Sequence, residues 1–462
     1  MKKNKLSIIV ASVLLLVMLA PTVYAQDFIG FNSHPYAGVS AMDVNPASIA
    51  GTVYKADISV VGADVFANNN YLKFNPKAFF KWNPSKGADG SVEIDPNGTL
   101  TNAYVHTRVQ LPSFMLDLNY NDAVAFTWQA RGYAQIENGG KELVKLAYED
   151  FDYTPYHNNN YQLTDMTIRM LNWSEIGLGY AHVFYLNGGN RVKLGTRLKY
   201  LMGLNALYLH TDKLNYEFLN DHVINVDGSV MYAHSDNMDE NIGFNPSGSG
   251  FGFDLGVKYS HNNQFIFGAS LLDFGGIKYK RAAESTNFTI DEQNWDLNPE
   301  NVGSVADFDA IVAERGVATT SGSDFKVGLP TTLSLQATAN LWESGDFEGG
   351  GYQNIYLNVT TFVDLSSMNS GKDITMRPVN VTSATIGFVS IPIGAGIPIS
   401  FGETNGFNVG GFVRLGPFVM GSKNFITSLI AKEVRDANVY AALKIPLLKP
   451  KPNIVQGCPD HF

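Results

Sequence analysis

Side chains along this chain change character at every second residue in segment after segment, and a period of two admits few folds. In TTLSLQATANL (331–341), Leu333, Leu335, Ala337, Ala339 and Leu341 share one face, while Thr332, Ser334, Gln336, Thr338 and Asn340 share the other. AVAFTWQAR (123–131) sets Val124, Phe126 and Trp128 against Ala125, Thr127, Gln129 and Arg131. AYVHTRVQL (103–111) sets Val105 and Val109 against Tyr104, His106, Arg108 and Gln110. In RVKLGTRLKY (191–200) the row Val192, Leu194, Leu198 and Tyr200 opposes the cations Arg191, Lys193, Arg197 and Lys199. FGFDLGVKY (251–259) and NVYAALKI (438–445) follow the same rule, with Asp254, Lys258 and Lys444 on the polar side. A soluble sandwich also alternates, because one face of each sheet is wet. The number of such segments and the start of the chain weigh against it.

Lys2, Lys3 and Lys5 precede the apolar run LSIIVASVLLLVMLA (6–20), followed by Pro21 and a small-residue pattern ending at Ala25. This predicts a cleaved signal peptide over 1–25, since the run is shorter than the roughly 20 residues of a spanning helix. One further long uncharged stretch, 378–402, is broken by Pro392, Pro398 and several glycines, and reads as strand and turn. With no spanning helix, a closed barrel is the remaining way to satisfy every backbone group in lipid. The 44 glycines, 29 phenylalanines and 22 tyrosines, with only 16% charged residues, suit short strands, tight turns and aromatic belts.

The expected architecture is therefore all-β: a single transmembrane antiparallel β-barrel of about 14 strands over 52–447, in the cell outer membrane and surrounded by its lipid. Residues 26–51, with Pro35 and Pro46, read as an N-terminal plug-like segment. Helical spacing in KELVKLAYEDF (141–151) and in VADFDAIVAER, within an acidic insert at 282–324, predicts long extracellular loops. Residues 448–462 read as a proline-rich periplasmic tail carrying Cys458, the one cysteine, so no intramolecular disulfide forms.

The net charge of −10 becomes more negative once three leader lysines are removed, which argues against nucleic acid as a partner. No His-Glu-x-x-His pair or Gly-x-Ser-x-Gly elbow occurs, so neither catalysis nor a metal or other cofactor is expected. A serine and a histidine assembled across strands would leave no motif, and His106 or His182 would suit that role. The glycines of GSGFGFDLG lie on a strand instead of opening a helix, which excludes a dinucleotide fingerprint.

The lumen-facing cations Arg108, Arg131, Arg191, Lys193, Arg197 and Lys199 have two readings. They hold an anionic head group, for which the arginine fork is suited, or they form an internal salt-bridge network with acids such as Glu175 and Asp254. Asn45 and Pro46 likewise belong either to a plug that moves or to a turn that fixes the segment. Asp43 has no expected role beyond capping or solvation.

GVSAMDVNPASIAG (38–51) resembles the Asn-Pro-Ala segment of FadL-type long-chain fatty acid transport barrels. GFGFDLGVKYSHNNQFIFGASLLDFGGIKYK (250–280) and GPFVMGSKNFITSLI (416–430) resemble an uncharacterised Bacteroidota family of FadL-related outer-membrane barrels. The resemblance implies a roughly fourteen-stranded barrel with a plugged lumen. It leaves two functions open: passive transport of a small hydrophobic or amphipathic molecule, or a barrel that docks envelope or secretion proteins. The acidic insert and the cationic strand at 191–199 depart from the fatty acid transporters.

Overall fold

A computed structural model describes residues 28–448, apart from 35–36, 75–91, 95–101, 149–153, 236–244, 298–304, 345–352, 370–373, 379, 391–392, 403–405 and 432. The expected signal peptide, the end of the first helical segment at 149–151 and nearly all of the expected tail, with Cys458, lie outside the described residues.

Fourteen antiparallel strands close into one barrel. β1 (Tyr54–Asn69) is followed by β2, made of Ala103–Gln110 and Ser113–Asp117. Then come β3 (Asp122–Glu137), β4 (Tyr161–Tyr185) and β5 (Arg191–Phe218). β6 consists of Val223–His234 and Gly248–His261, β7 is Phe265–Asp296, and β8 consists of Val317–Gly328 and Thr332–Ser344. β9 (Gln353–Asp364), β10 (Val381–Ser390) and β11 (Ile393–Gly402) precede β12, made of Gly406–Val409 and Gly411–Leu415. β13 (Phe418–Ser422) and β14 (Asp436–Leu448) complete the wall. The seam is at β1, where Val65 faces Thr107 of β2 on one side and Val439 of β14 on the other.

Alternation sets the two faces. On β5, Leu198 is 65% exposed on the outer wall, whereas its neighbours Arg197 and Lys199 are each 2% exposed inside. Val65, Leu178, Phe251, Leu335 and Val439 continue the outer apolar surface around the ring. An apolar belt of this extent would be penalised in water and is at rest in hydrocarbon, as in the outer-membrane barrel class.

Strands of 25, 28 and 32 residues (β4, β5 and β7) far exceed the ~9–11 that cross a bilayer, so their ends project beyond it. This changes the reading of 282–324: most of it is strand, not loop. Phe288 and Ile290 of β7 point inward and are buried, and Phe288 lies opposite Val230 of β6, so alternation continues past the belt. Two helices, α1 (Lys141–Tyr148) and α2 (Val305–Arg315), fall where helical spacing predicts them. Phe308 and Val312 of α2 pack on the same apolar cluster.

The described residues from Phe28 to Gly51 occupy the lumen and include two 3-10 turns, Gly38–Asp43 and Pro46–Ile49. Room for them comes from small inward residues: Ala123, Ala125 and Ala181 pack against Val39, Met42 and Ile49. Phe28 and Phe31 are buried against Phe412 and Tyr440. Each such side chain contributes about 1.5–3 kcal/mol on burial.

Two glycines let this segment approach the wall. Gly195 and Gly256 face each other across β5 and β6. A Cβ on Gly195 would lie 2.4 Å from the Ala47 amide nitrogen, and one on Gly256 would lie 2.2 Å from Asn45 Oδ1. Gly195→Ala is therefore expected to destabilise the protein by about 1–3 kcal/mol through overpacking and to expose the 28–51 segment to protease. Gly411→Ala, with no atom within 4 Å of its Cβ, should leave both unchanged. Denaturant unfolding in detergent and limited proteolysis of the two variants check this.

Candidate functional site

The polar interior converges on a network of four cations and four carboxylates. Asp43 forms an ion pair with Arg108, 2.8 Å from its Nη1, and accepts hydrogen bonds from Arg197 Nη1 at 2.8 Å and from Gln129 Nε2 at 3.1 Å. Arg197 also donates through Nε to Asp254 at 2.6 Å. Lys199 bridges Asp254 at 2.6 Å and Asp273. Arg131 joins Asp273 at 2.9 Å and Glu175 at 3.6 Å, and its guanidinium lies 4.7 Å from the centre of the Trp173 ring. Trp173 Nε1 donates to Glu175 at 2.9 Å.

A β-bulge brings in Asp273. Between Phe253 and Leu255 of β6, β7 carries one extra residue, and Asp273 takes a left-handed φ of 55°. Bulges re-aim side chains, and here the carboxylate turns to Lys199 and Arg131 while its own amide donates to Asp254 at 2.7 Å. Strain at this residue is offset by three charge-assisted bonds.

Burial raises the Asp43 carboxyl pKa, but the guanidiniums of Arg108 and Arg197 and the hydrogen bonds from Arg197 and Gln129 outweigh it and hold it well below the carboxylate range. Asp43 is thus the ionic tether of the lumen segment, not a capping or solvated residue. The signal for it was present in the sequence as a lone acid among small and apolar residues just before Asn45 and Pro46.

Asn45 and Pro46 form a turn and a wall contact at once. Asn45 Oδ1 accepts from the Ala47 amide at 2.9 Å, capping the second 3-10 turn with Pro46 at its first position. Asn45 Nδ2 donates to the carbonyls of Val257 (3.1 Å) and Ala269 (3.2 Å) and to Gln336 Oε1 (2.9 Å). Further along, the Val39 amide donates to Asp57 Oδ2 at 2.8 Å, Lys444 pairs with that carboxylate at 3.1 Å, and Tyr440 OH donates to the Ile29 carbonyl at 2.7 Å.

The six expected lumenal cations do not form one site. Arg108, Arg131, Arg197 and Lys199 join the network at mid-lumen, where Glu175 and Asp254 lie as the salt-bridge reading expects. Lys193 donates to the Ala50 carbonyl at 2.7 Å, and Arg191 lies 5.4 Å from the Tyr185 ring centre, both near the end of the barrel closed by short turns. His106 stacks on Tyr133 inside the barrel, with ring centres 4.2 Å apart. His182 sits on the outer wall, 2.7 Å from Asp122. Asp273 and Gln129 were not legible as site residues, since one depends on a bulge and the other is an ordinary polar strand position.

Replacing Asp43 by Asn should cost about 3 kcal/mol or more, because two buried guanidiniums lose a shared anion. A carboxyl held low contributes stability above its unfolded pKa and loses it only as pH falls toward the folded value, so wild-type seating should be flat between about pH 5 and 8. Protease sensitivity of the N-terminal segment across pH measures both. No curated protein sequence matches the chain. Among solved structures, the Pseudomonas putida toluene transporter TodX is similar at 9% identity and a TM-score of 0.39, covering 92% of this chain and 98% of that one. A TodX deletion mutant described as a monoaromatic hydrocarbon channel gives 10% and 0.43, covering 90% and 95%. A Pseudomonas aeruginosa FadL homologue gives 11% and 0.30, covering 92% and 99%. Identities and scores of this size carry no functional argument. The sequence itself matches, over residues 46–423, a family of unknown function, DUF5723, and the chain belongs to that family.

Proposed function

We propose that the protein is a passive outer-membrane channel for a small hydrophobic or amphipathic molecule, with the lumen segment as its movable plug. The observation that carries this reading is the wall at Gly195 and Gly256. Pro46 and Ala47 touch it from inside. Outside, at the same residues, an open apolar depression of about 850 Å³ faces the bilayer, flanked by Phe184, Leu194, Leu255, Val257 and Leu271. One layer of backbone separates the two. A molecule dissolved in the bilayer would reach the lumen there once the segment shifts and the thin β5–β6 wall behind it parts, and the resemblance of 38–51 to FadL-type barrels supports the same reading.

The segment's polar ties, at Asp43, Asn45 and Asp57, set how readily it moves. In this reading the cations around Asp43 hold the plug when it is seated and meet the acidic end of an amphipathic ligand when it is displaced. Neither an energy source nor a catalytic group is required.

A disulfide lock tests it. Ser40 Oγ lies 3.2 Å from Gln110 Oε1, so Ser40→Cys with Gln110→Cys, in a Cys458→Ser background, ties the segment to β2. Expression of the unlocked protein should raise entry of a hydrophobic fluorescent probe into cells whose outer membrane excludes it; oxidation should abolish the gain and reductant restore it. Equal entry with and without the folded barrel sinks the channel. A stoichiometric protein partner on purification would then favour a docking subunit.

A further inference from the structure

We infer that the lumen's vestibule, at the end closed by short turns, is a binding chamber for a small oxyanion, a carboxylate or phosphate group, centred on Lys258. The chamber holds about 360 Å³ and reaches from His34 in the segment to Asn263 in the turn after β6. That volume falls within the range of small-molecule sites.

Its charge is one-sided. Arg191, Lys193 and Lys258 line it, and among the described lining residues the one carboxylate is Glu343, whose side chain is exposed. Lys193 and Lys258 stand directly opposite each other across β5 and β6. Like charges in that position repel and destabilise a strand pair. Lys193 turns its ammonium to the Ala50 carbonyl. Among the described residues Lys258 has no hydrogen-bond or ion-pair partner. Mid-lumen, four cations meet four carboxylates; here, among the described residues, no carboxylate pairs with Lys258. A lysine kept inside a barrel opposite another lysine is costly unless an anion joins them.

An oxyanion between Arg191, Lys193 and Lys258 would receive three charge-assisted contacts. Ser260, Asn340 and Asn354 supply neutral polar groups around it. The size admits a phosphate, or a carboxylate with a short apolar tail, and no macromolecule. Because the chamber lies on the turn side of the seated segment, occupation needs no displacement of the segment, and the inference stands whether or not the channel reading does.

Calorimetry on the full-length protein in neutral detergent, titrated separately with inorganic phosphate and with butyrate, tests it. At least one should bind saturably and more weakly in high salt; which one does tells phosphate from carboxylate chemistry. Lys258→Met, which keeps the aliphatic stem, should weaken binding about tenfold or more. Glu343→Gln, at an exposed position that leaves the fold intact, should tighten it about two- to fivefold. Absence of saturable binding for both anions overturns the inference, as does a folded Lys258→Met protein that binds like wild type. If Lys258→Met does not fold, unchanged affinity in Glu343→Gln overturns it equally.

Discussion

Asp43 is one carboxylate shared by two arginines from strands three apart in the wall, Arg108 on β2 and Arg197 on β5. A barrel in hydrocarbon has no outside solvent for what it turns inward, so a crowded inward charge is costly unless it is answered from within. The strands alone do not achieve this: Arg108 and Arg197 need an anion that the wall does not place between them. The lumen segment brings it. Through that one contact the segment completes the electrostatics of the wall, and the wall in turn fixes the segment.

Around this centre the interior is graded. Toward the short turns it is polar and positively charged. At mid-height it is charged and balanced. Toward the long connections it becomes apolar, with Trp173, Leu201, Ile277, Tyr279 and Phe325 in one cluster. Along its axis the lumen thus presents an apolar region, an ionic network and a cationic chamber in turn.

Much of the wall was legible in the sequence because lipid on one side and a crowded lumen on the other enforce a strict period of two. Val105, Leu198 and Val439 could be assigned outward, and Arg108, Lys199 and Lys444 inward, from parity alone. Parity failed where geometry departs from the plain ladder. The Asp273 bulge shifts register by one residue, and no local pattern announces which acid it delivers. The projecting end of β7 read as part of an acidic insert because Asp291, Glu292 and Asp296 stand on it, although Phe288 and Ile290 keep the period. The pairing of Lys193 with Lys258 needed the register between β5 and β6, which parity does not supply.

The seam has a consequence for how the molecule is made. β14, the last of the described strands, supplies Tyr440 to Ile29, Asn438 to the Asp64 carboxylate that also receives the Phe28 amide, and Lys444 to Ala37 and Ser40. The first described residues and the last described strand therefore bind each other across the joint between β1 and β14. Closure and filling of the cylinder are therefore coupled: the bonds that seat the segment also hold the two edge strands, so loosening either weakens the other.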